Sequence, residues 1–162
     1  MKKATALITL LATLILTLCS CIYVSDTPDQ GNGTVTPDNS SASSLGDYEV
    51  VIESCRLASD YFGEPIIIVK YKFTNNDNDP SCFSWSLNNA AFQDGIGLNK
   101  CYLVDDSANY SSDNQTKEIK KGSSISVEVA YKLNDTTTDV EIEVSELISF
   151  NKKTITKTFT IK

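Results

Sequence analysis

Downstream of Gly46 the chain alternates apolar and polar residues in short blocks separated by turn-forming residues. In "SISVEVAYKL" (124–133), Ile125, Val127, Val129, Tyr131 and Leu133 share one face. In "DVEIEVSEL" (139–147), Val140, Ile142 and Val144 oppose Asp139, Glu141 and Glu143, and in "KKTITKTFTIK" (152–162) Ile155, Phe159 and Ile161 oppose threonines. A period of two is the mark of a half-buried strand. "YEVVIESCRL" (48–57) keeps Tyr48, Val50 and Ile52 together and needs a slip near Glu53 and Ser54, as a bulge provides, to bring Cys55 and Leu57 onto the same face. In "PIIIVKYKFT" (65–74) the run Ile66–Val69 reads as buried on both faces. Asp60–Glu64 is the expected hairpin loop between these two. Phe83, Trp85 and Leu87 alternate with polar residues, predicting a strand with Trp85 in the core, and a shorter strand is expected at Leu98–Val104 after an Asp94-Gly95 turn.

Seven such segments without an amphipathic helix predict an all-β fold. The expected form is an antiparallel β-sandwich of immunoglobulin-like type over residues 47–162. A single curled sheet or partial barrel is the alternative.

The N-terminus follows different rules. Lys2 and Lys3 precede an apolar run from Ala4 to Leu18, which is shorter than the roughly 20 residues that a membrane-crossing helix needs. Leu18-Cys19-Ser20-Cys21 resembles the bacterial lipobox, with an aliphatic residue three places before Cys21 and a small one just before it. That resemblance implies a signal peptide over 1–20 and a lipidated Cys21 holding the protein on the outer side of the cell membrane, since two acyl chains suffice where one is marginal. An ordinary secretory cut near Ser25 is the alternative. Residues 21–46, rich in Ser, Asp, Asn, Gly, Thr and Pro, bury too little to offset the entropy of ordering and read as a tether. Its span as a coil is about 25 to 30 Å.

Strings such as "YEVVIESCRLASDYFGEPIIIVKYKFTNN", "AAFQDGIGL", "VAYKLNDTTTDVEIEVSELISF" and "KTFTIK" resemble, in order and spacing, the bacterial lipoprotein family catalogued as domain of unknown function 5067. The resemblance spans most of Asp47–Lys162. It implies an immunoglobulin-like fold and export as a lipoprotein in Gram-positive bacteria, with no activity and no site residues to carry over.

Charge and composition narrow the function. The net charge is −7, and loss of Lys2 and Lys3 with the signal takes it to −9, which argues against nucleic acid or anionic lipid as a partner surface. There is no histidine, so Ser-His-Asp, Cys-His and H-E-x-x-H machinery are excluded. Glu141 and Glu143 point the same way on one strand but read as a solvated face rather than a glycosidase pair. Neither an enzyme nor a cofactor is expected. Cys55, Cys82 and Cys101 remain in the domain; Cys55–Cys101 is a candidate disulfide, and three separate buried thiols are the other reading. Without histidine or Cys-x-x-Cys spacing no zinc site is expected. The acidic stretches 75–80 and 105–115 carry oxygen ligands that calcium could use, but Asn/Asp clusters more simply form turns.

The long connection 105–122 and the aromatic hairpin loop are the expected recognition surface, with Tyr61, Phe62, Asp105, Asp106 and Tyr110 as its candidate residues. Two functions follow as expectations. One is a binding module for a protein or glycan. The other is an accessory envelope lipoprotein that pairs with a partner of the same cell through an open sheet edge.

Overall fold

The computed structural model describes residues 43–148 and 153–161. The expected signal peptide, Cys21 and the tether up to residue 42 lie outside them. Among the described residues nine strands form, in the order β1 (Ser43–Leu45), β2 (Tyr48–Ser59), β3 (Pro65–Asn75), β4 (Leu87–Gln93), β5 (Ile96–Gly97), β6 (Lys100–Cys101), β7 (Ser124–Lys132), β8 (Val140–Glu146) and β9 (Thr154–Phe159). A single helical turn, α1 (Phe83–Ser86), precedes β4.

They make two antiparallel sheets, β1-β2-β3-β7-β6 and β5-β4-β8-β9. Immunoglobulin constant-type sandwiches place A-B-E-D in one sheet and C-F-G in the other. Seven of the strands follow that order, with β2-β3-β7-β6 in the first sheet and β4-β8-β9 in the second.

The alternating residues meet between the sheets. Val50 and Ile52 of β2, Ile67, Val69, Tyr71 and Phe73 of β3, and Val127, Val129 and Tyr131 of β7 join Leu87, Ala91, Val140, Ile142 and Val144 of the second sheet in one cluster. Two polar devices tie the sheets across this core. The Tyr131 hydroxyl donates to Asn89 Oδ1 at 2.7 Å and lies 3.4 Å from the Tyr71 hydroxyl, so each buried oxygen has a partner. Burial raises the pKa of both tyrosines. At the edge, the β2–β3 register shifts between Ile52 and Ser54, the expected bulge. The carbonyls of Ile52 and Glu53 accept from Lys157 Nζ of β9, both at 3.0 Å.

Turn chemistry agrees with the strand ends. Asp94 and Gly95 join β4 to β5 with φ of 49° and 74°, the two left-handed positions of a type I′ hairpin. The cluster at 75–80 is a turn built on Asn75, whose amide donates to the carbonyls of Asp79 (2.8 Å) and Ile119 (2.9 Å) while its Oδ1 accepts from Asp77 N–H (2.9 Å).

Three expectations are corrected. The folded part reaches into the expected tether, because β1 pairs with β2 and Leu45 is wholly buried. Gly46 makes the turn possible at φ +57°, and a Cβ there would collide with the Glu146 carboxylate. Trp85 is not a core residue: the stretch 83–86 is a helical turn, so Phe83 and Ser86, three apart, face inward and Trp85 stands 62% exposed. The Cys55–Cys101 disulfide is absent, all three cysteines being free thiols. Cys55 packs against the inter-sheet core and Cys101 belongs to the cluster on the sheet's other face. Strands β3 and β7 stand between them, about 14 Å at ordinary strand spacing, well beyond the reach of a disulfide.

Candidate functional site

The site begins at a buried carboxylate. Asp60, at the end of β2, is 1% exposed and accepts hydrogen bonds from the N–H groups of Phe62 (2.8 Å) and Glu64 (2.9 Å) and from Lys132 Nζ (3.0 Å). Burial raises its pKa, but the Lys132 ammonium and the two N–H donors outweigh that and hold it below the usual range. With the backbone folded over this anchor, Gly63 at φ +87°, the loop has no interior for its aromatic side chains. Tyr61 (73% exposed) and Phe62 (72%) project outward with their rings edge to face, centroids 5.6 Å apart.

A second segment docks alongside. Tyr61 N–H donates to Leu103 C=O at 2.8 Å, Asp60 bridges Val104, and Asp105 N–H donates to Ser59 C=O at 3.1 Å. Tyr102 and Leu103 are thereby held beside the hairpin and remain largely exposed. Four large apolar side chains on two joined segments form a ledge.

The long connection that follows is an ordered layer on the outer face of the five-stranded sheet. Ala108 and Tyr110 pack on Ile66, Ile68, Cys101 and Ala130, which makes a second small core. Asp105 caps the 3-10 turn Asp106–Ala108 by accepting from Ser107 N–H at 2.8 Å and from the Ser107 hydroxyl. These donors lower its pKa. Arg56 forks onto Glu128 at 2.5 and 3.0 Å and also donates to the carbonyls of Ala108 (3.2 Å) and Asn109 (3.3 Å). Beyond β6, the edge of β7 is covered by side-chain amides: Asn114 donates to Ser126 C=O at 2.9 Å, and Gln115 to Glu128 C=O at 2.6 Å and to the Tyr110 hydroxyl at 3.2 Å. Half-burial raises the Tyr110 pKa.

Between this layer and Tyr102 lies a cleft of about 370 Å³ whose walls include Tyr102, Asp105, Asp106, Asn109, Tyr110 and Asp113. The lining contains three aspartates and no lysine or arginine. Its size falls within the range of small-ligand pockets.

The candidate residues therefore sort into two adjoining places, Tyr61 and Phe62 on the ledge and Asp105, Asp106 and Tyr110 at the cleft. Sequence reasoning missed Tyr102 and Leu103, which it took as strand; their adjacency to Asp105 in "CYLVDD" was the available signal. Among the described residues no group of three or more His, Cys, Asp or Glu is placed to hold a metal ion. Glu141 lies exposed on the solvent side of β8. Trp85 lies away from the ledge, where Leu147 N–H donates to Ser86 C=O, at the opposite end of the sandwich.

Solved structures with the same fold include the yjhA protein from Bacillus subtilis (TM-score 0.53, 7% identity, covering 75% of this chain and 96% of that one). A conserved hypothetical protein from Bacillus anthracis is similar (0.51, 13%, 72% and 92%), as is a protein from Enterococcus faecalis solved by NMR (0.56, 18%, 77% and 92%). At these identities the likeness concerns the fold alone. No curated protein matches. A family model described as "Domain of unknown function (DUF5067)" matches residues 25–146, well over half the sequence, and the chain belongs to that family.

Proposed function

We propose that this chain is a membrane-anchored extracytoplasmic bacterial lipoprotein whose immunoglobulin-like domain is a non-catalytic surface binding module. The observation that carries the reading is the ledge: Tyr61, Phe62, Tyr102 and Leu103, each more than 60% exposed, are held on two hydrogen-bonded segments beside a cleft. Large apolar side chains grouped on a surface mark interaction sites. Nothing in this arrangement pairs a nucleophile with a base. The leader-like N-terminus and the lipobox resemblance at Cys21 support the anchor, and the polar residues before Ser43 supply a tether.

The alternative, pairing through an open edge, has less to use. Lys157 occupies the bulge carbonyls of β2, and Asn114 and Gln115 cover part of the β7 edge, while β9 has a strand partner on one side.

The reading is tested by crosslinking on living cells with the natural chain and with Tyr61→Ala combined with Phe62→Ala. A discrete crosslinked product that the double variant loses supports the ledge; a product that it retains in full sinks it. Mass spectrometry of the membrane fraction tests the anchor, where Cys21→Ser is expected to release the protein and an unmodified mature N-terminus overturns the assignment.

A further inference from the structure

The chemistry of the ledge and the cleft is complementary in one direction. The ledge offers aromatic faces, and the adjoining walls offer Asp105, Asp106 and Asp113 without a lysine or arginine among them. Lys132 on β7 is engaged with Asp60, Arg56 on β2 is paired with Glu128 and bonded to the carbonyls of Ala108 and Asn109, and Lys100 on β6 is exposed but outside the cleft lining. The formal charge of the whole chain, −7, adds a long-range attraction for cations. A guanidinium or ammonium satisfies both surfaces at once, since it pairs with carboxylates and is also drawn to the face of an aromatic ring. An anionic partner would meet three carboxylates in the cleft and no cation in its lining. A neutral sugar could stack on the rings but would leave the carboxylates without a charge partner.

Resting on the binding-module reading, we infer that the occupant of this surface is a polypeptide segment that presents arginine or lysine beside apolar side chains. Its apolar residues lie on Tyr61, Phe62 and Leu103, and its cationic residues enter the cleft past Tyr102 toward Asp106 and Asp113.

The test uses the full chain and three labelled probes: a short peptide alternating Arg and Leu, its Glu and Leu counterpart, and a neutral chitin oligosaccharide. Fluorescence polarisation is expected to show binding of the Arg-Leu peptide alone, weakened about tenfold or more between about 50 and about 500 mM salt. Asp106→Asn combined with Asp113→Asn should weaken it at least about fivefold, and Tyr102→Ala comparably. The control is Glu141→Gln combined with Glu143→Gln, which removes the same charge from β8 and should leave affinity unchanged. Equal binding of the acidic peptide or of the oligosaccharide overturns the inference, and so does equal weakening by the control. If the aspartate variant keeps the cell-surface crosslink that the Tyr61 and Phe62 variant loses, the cationic assignment falls while the binding-module reading stands.

Discussion

Over Ile66–Val69 the two faces of β3 are both buried, but by different means. Ile67, Val69, Tyr71 and Phe73 look inward to a sheet whose own strands alternate to receive them, whereas Ile66 and Ile68 look outward to a loop. Every one of these residues is inaccessible to solvent. The inner core is made by repeating patterns and is wide; the outer one is made by Ala108, Tyr110 and Val104 and is held down by a few polar clamps. The difference teaches that the connection 102–115 is a folded layer, and that the surface at its rim is positioned in advance of any partner. Preorganisation of this kind lowers the entropy lost on binding.

The contrast can be broken first at its stronger side. Ile67→Ala removes a fully buried side chain from the inter-sheet core and should cost about 3 to 4 kcal/mol, read as a lower midpoint of denaturant unfolding. Ile68→Ala should cost about 2 to 3 kcal/mol and, unlike Ile67→Ala, should speed hydrogen exchange in residues 105–115 before it affects the second sheet. Equal and global effects from the two would erase the distinction.

Acid should act on the turns that frame the site and the sandwich end. Asp135 accepts from the N–H groups of Thr137 (2.8 Å) and Thr138 (2.7 Å) and from both hydroxyls, and these bonds lower its pKa from 3.8 to about 2. Asp60 is lowered as well. A carboxyl with a lowered folded pKa contributes stability that is complete above its unfolded value and lost as pH falls through the folded one. Stability should therefore decline between about pH 4 and pH 2, and Asp60→Asn should flatten part of that decline in thermal scans. Tyr71 and Tyr131, with raised pKa values, act oppositely: their contribution is complete below about pH 10 and shrinks as pH rises above it.

A smaller effect is expected at the clamp. Arg56→Leu removes a partly exposed ion pair and two bonds to loop carbonyls, so global stability should fall by about 1 kcal/mol or less. The exchange of loop amides should nevertheless rise. The smallest change in stability belongs to Tyr102→Ala, within about 0.5 kcal/mol, although it should remove much of the binding. A large loss of stability there would make Tyr102 a structural residue instead.

The same contrast explains what could be read in the sequence. The inner core was legible because each strand repeats its pattern over several residues, and the bulge near Glu53 showed itself as a phase slip. Ile66–Val69 announced burial on both faces without indicating what covers the outer one. That cover is an irregular loop with no period, whose contributions are single residues such as Ala108. Trp85 was misplaced because four residues cannot distinguish a period of two from a helical turn. Leu45 was missed as a lone apolar residue among serines and glycine. The proposed cysteine pair failed because strand order, which alternation does not encode, decides which strand ends are neighbours. Of the recognition surface, the exposed hairpin aromatics and acidic loop were legible as parts; their adjacency came from the Tyr61–Leu103 and Asp105–Ser59 backbone bonds.

The account stands on the claim that 102–115 is a folded layer presenting a fixed ledge. Residue-resolved amide exchange of the full chain tests it most directly. The N–H groups of Tyr61, Asp105 and Ala108, bonded to Leu103, Ser59 and Asp105 carbonyls, should exchange well below their unstructured rates. Exchange of all three at unstructured rates, with β3 and β7 still protected, would contradict it.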